Sequence, residues 1–577
     1  MRKLLRYMKG YGGRALAAPL FKLLEASMEL CVPLIVKAII DRGIGQADKP
    51  FLIRMVLLMV LFGVLGYGFA LCAQYFAAKV ATEFTGRVRF ALFEHIQALS
   101  FSDLDKQGTA TLITRMTSDT NQIQNGVNLT LRLLMRSPFI VFGALIMAFT
   151  VDVKGALVFA VIIPLLSIVV FGIMLITIPL YRRVQAKLDS VLSKTREHLS
   201  GVRVLRAFCK EEEEVRKFNT RHEALTKEQL LVGRISALMN PVTYVMINLA
   251  LLVLIYVGAL RVDTGLLTQG AVIALYNYMS QILVELIKMA NLILTLTKSF
   301  ASAGRVQSIL DLPVSMTNGT VSEVSEEAPA VEFRDVSFRY ADASAEALSH
   351  ISFRLMPGES LGIIGGTGSG KSSLASLISR YYDATDGEVL VQGVPVKEWD
   401  MTKLRKLIGD VPQKAVLFSG TVRSNLLWGD KNAEDKDLYA ALSAAQAESF
   451  VREKPEGLDA PVTAGGKNFS GGQRQRLTIA RALVGAPPIL LLDDSSSALD
   501  YATDAALRKA IASLPNSPSR IIVSQRTVSI ADCNHILVLD DGNAVGYGTH
   551  SELLKTCPTY KEICQSQEDA SENGGAA

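Results

Sequence analysis

Six long apolar segments crowd the first 300 residues of this 577-residue chain, at roughly 15–40, 52–82, 128–151, 155–181, 237–261 and 270–298. Each supplies the ~20 residues that a helix needs to cross a bilayer. Hydrocarbon offers no water to unpaired peptide groups, so only helices or closed barrels can span it. Buried helices of a soluble core are the alternative, but six in 300 residues point to a membrane all-α domain. Composition agrees, with 49% apolar residues and a net charge of only +5. So small a charge, with no basic run interleaved with aromatics, argues against a nucleic-acid partner. The six cysteines form no CxxC pair and the six histidines show no ligand spacing. They read as reduced structural thiols. The basic start, 1–14, precedes an apolar stretch too long for a signal peptide, so it reads as retained.

Lys and Arg set the expected orientation. They are dense before the first span (Arg2, Lys3, Arg6, Lys9, Arg14). They are dense again after the second span (Lys79, Arg87, Arg89, Lys106, Arg115) and from Arg182 to Arg234. The short connections between are poor in them: Arg42 and Lys49, Lys154, Arg261. Both termini and both long connections are therefore expected in the cytoplasm, on a multi-pass cell-membrane protein. The long connections are helix-like and read as continuations of the spans.

Charges within apolar spans are costly and so informative. Lys22, Glu25 and Glu29 lie in the first span, Arg132 and Arg136 in the third, Glu285 and Lys288 in the sixth. Glu285 and Lys288 stand three apart on one helical face, so they either neutralise each other or face a water-filled substrate cavity with Glu29. Lys22 and Arg132 can also snorkel to an interface.

The composition changes near residue 312. A polar linker, 313–329, separates a transmembrane domain, 1–312, from a second domain, 330–577. The latter alternates strand-like runs (331–340, 360–364, 489–492) with helical stretches, the α/β pattern. After one such strand comes Gly365-Gly366-Thr367-Gly368-Ser369-Gly370-Lys371-Ser372, a GxxxxGK[ST] P-loop, continued by Ser373. Its glycines let peptide N–H groups wrap phosphates, and the helix that follows adds partial positive charge. Lys371 reaches the β- and γ-phosphates of ATP, and Ser372 offers oxygen to Mg²⁺. The buried run Ile489–Leu492 ends in Asp493, a carboxylate able to hold Mg²⁺ through water.

Phe469-Ser470-Gly471-Gly472-Gln473 precedes a helix with Arg474, Arg476 and Arg481. With it the chain resembles the ATP-binding cassette (ABC) proteins, whose common signature is LSGGQ. The first half resembles the six-helix membrane domain of type IV ABC exporters, with coupling regions at 101–124 and 201–218. The resemblance implies that Tyr340 stacks on adenine. It implies that Gln413 senses Mg²⁺ and faces the membrane domain, and that Asp500 crosses a dimer interface in the D-loop. It further implies that each ATP lies between the P-loop of one half and the signature (Phe469, Ser470, Gly471, Gly472, Gln473) of the other.

Two positions depart from the family. After the Walker B aspartate a Glu is expected, and this chain has Asp494. After the next strand a His is expected, and Ile521-Ile522-Val523-Ser524 leads to Gln525. Displacing a catalytic group by ~1 Å can cost ~100-fold, and Gln cannot become cationic. This pairing resembles the degenerate half of heterodimeric bacterial multidrug exporters, which bind ATP in one slow site and lend an intact signature to a second half-transporter. Amphipathic drugs, lipids or peptides suit such a cavity equally, in contact with membrane lipid. A homodimer using Asp494 as a weak base, and an ATP-gated membrane protein that does not pump, are the alternative readings.

Overall fold

The computed structural model describes residues 3–321, 328–341 and 343–574. It divides into two compact units: Met1–Gln97 with Ala110–Leu312, and Ala98–Thr109 with Pro313–Ala577. The short helix Phe101–Gln107 thus packs with the second unit, although the sequence reading places it in the membrane domain.

Among the described residues, five helical segments are long and apolar enough to cross a membrane: Lys49–Ala98, Thr109–Val151, Val153–Ser200, Glu211–Asp263 and Gln269–Leu310. The first expected span forms the 27-residue helix Gly12–Ala38. It has the length to cross, ~1.5 Å per residue, but Lys22, Glu25, Glu29 and Lys37 keep it out of the apolar set. The third expected span is interrupted, since one helix ends at Leu133 and the next begins at Arg136. The second long connection is broken around the short helix Val202–Ala207.

Polar residues fix the helix ends. Asp152 accepts from the Gly155 N–H at 2.7 Å and starts Val153–Ser200. It also pairs with Arg261 at 2.8 Å. Asp41 accepts from Thr268 Oγ1 at 2.6 Å and from the Gly270 N–H at 2.9 Å. Between these ends lies an apolar core of Ile140, Ala144, Phe159, Leu254, Tyr278 and Ile282.

The charges within the spans converge. Arg136 is buried and pairs with Glu285 at 2.5 Å and Glu29 at 2.6 Å, with Glu25 at 4.0 Å. Ser137 Oγ donates to Glu285 at 2.7 Å, Lys288 pairs with Glu285 at 2.8 Å, and Lys22 pairs with Glu25 at 2.5 Å. Glu285 and Lys288 are therefore paired, and Arg136 is the centre of a larger network. Glu29 and Lys288 stay about two-fifths exposed at its rim.

In the second unit one ten-stranded sheet carries the site. Its order is Val394–Pro395, Asp386–Val391, Val331–Phe338, Leu348–Leu355, Asn543–Gly548, His535–Asp540, Ser360–Gly365, Ser519–Val523, Ile489–Asp493, Ile408–Val411. The last five run parallel. Ser360–Gly365 and Ile489–Asp493 are buried at every position, which explains their unbroken apolar sequence. Residues 313–321 are not a free tether. Asn318 Nδ2 donates to Asp400 at 2.9 Å, its Oδ1 accepts from the Met401 N–H at 2.7 Å, and the Gly319 N–H donates to Trp399 O at 3.0 Å. The rest of the expected linker, 322–327, lies outside the described residues.

Candidate nucleotide site

Parallel α/β sheets bind ligands beyond the carboxyl ends of their strands. Ile363, Val523 and Asp493 stand side by side in register there. The segments that leave these ends are the P-loop, the Ser524–Gln525 turn, and Asp493–Asp494.

The P-loop conformation demands glycine at Gly368, with φ 84°, and at two further places. Gly370 has φ 96°, and a Cβ there would meet Ala347 O at 2.5 Å. A Cβ on Gly365 would lie 2.1 Å from Leu539 O. Gly366, Thr367, Gly368 and Ser369 complete the turn into the helix Lys371–Ile378. Lys371 Nζ folds back over the loop and donates to Gly366 O at 2.6 Å, Gly365 O at 3.0 Å and Ser369 Oγ at 3.3 Å. Burial pushes its ammonium below the usual lysine range, while Asp494 and Asp493 pull it back.

Ser372 Oγ donates to Asp493 Oδ1 at 3.2 Å. Burial pushes the Asp493 carboxyl up, against that hydrogen bond. Gln413 Nε2 donates to Asp494 Oδ2 at 3.4 Å. Asp494 has φ 45°, a left-handed conformation in which Asp is enriched several-fold over most residues. Its N–H donates to Val523 O at 2.9 Å, which ties it to the neighbouring strand. Gln525 is exposed at the same edge. His535 opens its strand opposite Leu361, at the far end of the sheet from the P-loop, and stacks on Tyr547.

Tyr340 follows the strand Val331–Phe338, and its hydroxyl lies 2.9 Å from Ser373 Oγ. Its ring meets Tyr382 edge-on at 5.3 Å. Tyr382 donates its hydroxyl to Asp105 at 2.6 Å, and Phe101 packs on Tyr381 at 4.7 Å. Sequence reasoning missed Tyr381 and Tyr382. Two adjacent aromatics straight after the P-loop helix were the available signal. A cavity of about 230 Å³ lies among Ser100, Ser315, Phe338, Tyr340 and Tyr382. A larger one, about 840 Å³, opens instead beside Arg405, Asp410, Phe418, Trp428 and Arg481. The P-loop is a turn of N–H groups rather than a deep hole, so cavity size does not mark it.

The signature residues begin the helix Gly471–Leu483. Ser470 and Gln473 form a capping box, with Gln473 Oε1 accepting from the Ser470 N–H at 3.0 Å. This leaves the N–H groups of Gly471 and Gly472 at an exposed helix start, a ready anion site. Phe469 is buried behind it. Asp500 uses both carboxylate oxygens on Thr503, at 2.9 and 2.8 Å, and so caps the helix Tyr501–Ala512.

The comparisons with known proteins agree with this architecture. The family model for the ABC transporter transmembrane region matches residues 16–286, and the family model described as ABC transporter matches 348–497. An uncharacterized ABC transporter ATP-binding protein of Mycobacterium tuberculosis (strain ATCC 25618 / H37Rv) is 36% identical over 96% of both chains. The uncharacterized ABC transporter ATP-binding protein YfiB of Bacillus subtilis is 34% identical over 98% of both. An ATP-dependent lipid A-core flippase of Desulfotalea psychrophila is 31% identical over 92% of this chain and 93% of its own. The fold matches a bacterial Atm1-family ABC exporter with ATP bound, at TM-score 0.77 and 24% identity, over 97% of this chain and 99% of that one. A membrane helical domain followed by a P-loop ATP-binding domain, in one chain, makes this protein a membrane-bound member of the ABC transporter family.

Proposed function

We propose that this chain is the ATP-holding half of a heterodimeric exporter. The observation that carries the reading is the pair Asp494 and Gln525 at the carboxyl edge of the sheet. The P-loop, Ser372 and Asp493 lie at the same edge, while the two positions that the family resemblance gives to driving water onto phosphate hold a short acid and an uncharged amide. Asp494 is further occupied by Gln413 at 3.4 Å.

In this reading Tyr340 stacks on adenine, a contact worth about 1–3 kcal/mol by analogy with base stacking on aromatic residues. The P-loop and Lys371 hold the phosphates. Ser372, Asp493 and Gln413 present hard oxygen donors, the kind Mg²⁺ prefers, and would hold it with the phosphates. When bound, Mg²⁺ neutralises phosphate charge. Ser470 and the Gly471 and Gly472 N–H groups cap the ATP of the second half, where they stabilise charge that spreads over the γ-phosphate. The termini lie in the cytoplasm in this reading, which the Lys and Arg distribution supports. The cargo is an amphiphile, a lipid, drug or peptide with a polar head, because polar groups at the rim of an apolar domain, Glu29 and Lys288, suit such a molecule. The flippase relative acts on one amphiphile of this kind by its name.

The test replaces Lys371 and the corresponding lysine of the second half separately. Loss of the second half's lysine abolishes ATP turnover, and loss of Lys371 only slows it. Equal loss from both changes, or brisk turnover by this chain purified alone, overturns the asymmetric reading.

A further inference from the structure

The C-terminal helix Pro558–Gly574 reaches the nucleotide site. Tyr560 and Cys564 are buried in a cluster with Ile364, Ile530, Ile536 and Val538. The Tyr560 hydroxyl lies 2.7 Å from His550 Nδ1. Spacings of four and three residues bring Gln567 onto the same face as these anchors.

The Gln567 carboxamide spans the turn that carries Gln525. Its Nε2 donates to Gln525 O at 2.7 Å, and its Oε1 accepts from the Thr527 N–H and Oγ1, both at 2.9 Å. A carbonyl can only accept and a peptide N–H can only donate, so these partners fix the amide orientation. The near side of the turn is held by the Ser524 N–H, which donates to Ile363 O at 3.0 Å, next to the P-loop. Gln525 thus stands on a peptide pinned at both ends while its own side chain stays exposed.

We propose that Gln567 is a positioning residue for the γ-phosphate contact of Gln525, and that the C-terminal helix is a working part of this ATP site. The inference rests on the reading that Gln525 faces the γ-phosphate. A side chain that must distinguish ATP from ADP needs its backbone held within ~0.5 Å, and Gln567 supplies the hold that the strand no longer gives beyond Ser524. Gln is suited to the task because it donates and accepts from one planar group. Glu keeps the acceptor for Thr527 and loses the donor for Gln525.

The test is competition by MgATP and by MgADP against photolabelling of this chain with 8-azido-ATP, in the full-length dimer. Gln567→Ala and Gln567→Glu both lower the preference for ATP over ADP about three- to tenfold, the loss of one well-placed hydrogen bond. ADP competes as in the parent protein. A merely structural role for Gln567 would weaken ATP and ADP alike, and that result overturns the proposal. So does an unchanged preference in both variants when Gln525→Ala lowers it. If Gln525→Ala leaves the preference unchanged, the γ-phosphate reading itself fails, and the clamp falls with it.

Discussion

Asp494 carries two burdens at one residue. Its left-handed backbone suits a short acid, and its carboxylate already answers Gln413. Asp494→Glu alone therefore costs about 1 kcal/mol of stability through the backbone. Asp494→Glu with Gln525→His raises turnover at this site about 10- to 100-fold, the reverse of a ~1 Å misplacement. Single-turnover hydrolysis, with the second half's P-loop lysine removed, measures it, and an unchanged rate counts against the degenerate reading. Thiols give an independent check on burial. Thiolates are the reactive form, and burial pushes the Cys533 thiol up to about 11. Cys557 and Cys564 are buried, while Cys209 is exposed. A water-soluble maleimide should label Cys209 in the native protein and reach the other three only after denaturation; early labelling of Cys564 would contradict the packing of the C-terminal helix. At this scale the P-loop was legible because strand, turn and helix are contiguous. Gln567 was not, because its partners lie 42 and 40 residues away and meet it only through tertiary packing.

Elements were legible where one physical rule dominates. Apolar runs gave five of the six expected spans, and buried strands gave the α/β pattern of the second domain. The helix Gly12–Ala38 was harder, because its charges only make sense once Arg136 stands beside them. The polar stretch 313–321 looks like a tether by composition, yet Asn318 binds it to the Asp400–Met401 turn. No local signal distinguishes an Asn that faces solvent from one that bridges a turn. The helix Phe101–Gln107 offers the sharpest element-scale prediction. Its Asp105 meets Tyr382, which meets Tyr340 edge-on. Tyr382→Phe keeps the ring and loses the hydroxyl. ATP affinity should stay within about twofold, while the slowing of amide exchange that ATP brings to residues 101–107 falls about fivefold, a typical coupling between two sites. Asp500→Ala removes a helix cap and should lower stability by about 1 kcal/mol, measured by denaturant unfolding.

Across the whole molecule, the membrane unit is organised around one guanidinium. Removing Arg136 takes from buried Glu285 one of its two cations, leaving Lys288 and Ser137, and unpairs the two-fifths-exposed Glu29, so the cost stays below the ~3–5 kcal/mol of a bare buried charge. Arg136→Met should therefore lower the thermal midpoint of the detergent-solubilised protein. Adding Glu285→Gln to it should recover part of the loss, since the buried carboxylate is then uncharged and the unpaired Glu29 and Lys288 stay at the exposed rim. A double variant no better than the single one would argue that the network contributes nothing beyond packing. The network has a further bearing on ancestry. Three helices meet in it, and its six charged members cancel. A single substitution here unbalances the charges, so substitutions among relatives are expected in compensated pairs. Mutational libraries that vary these sites one at a time should lose folded protein, and survivors should be richest where cation and anion change together.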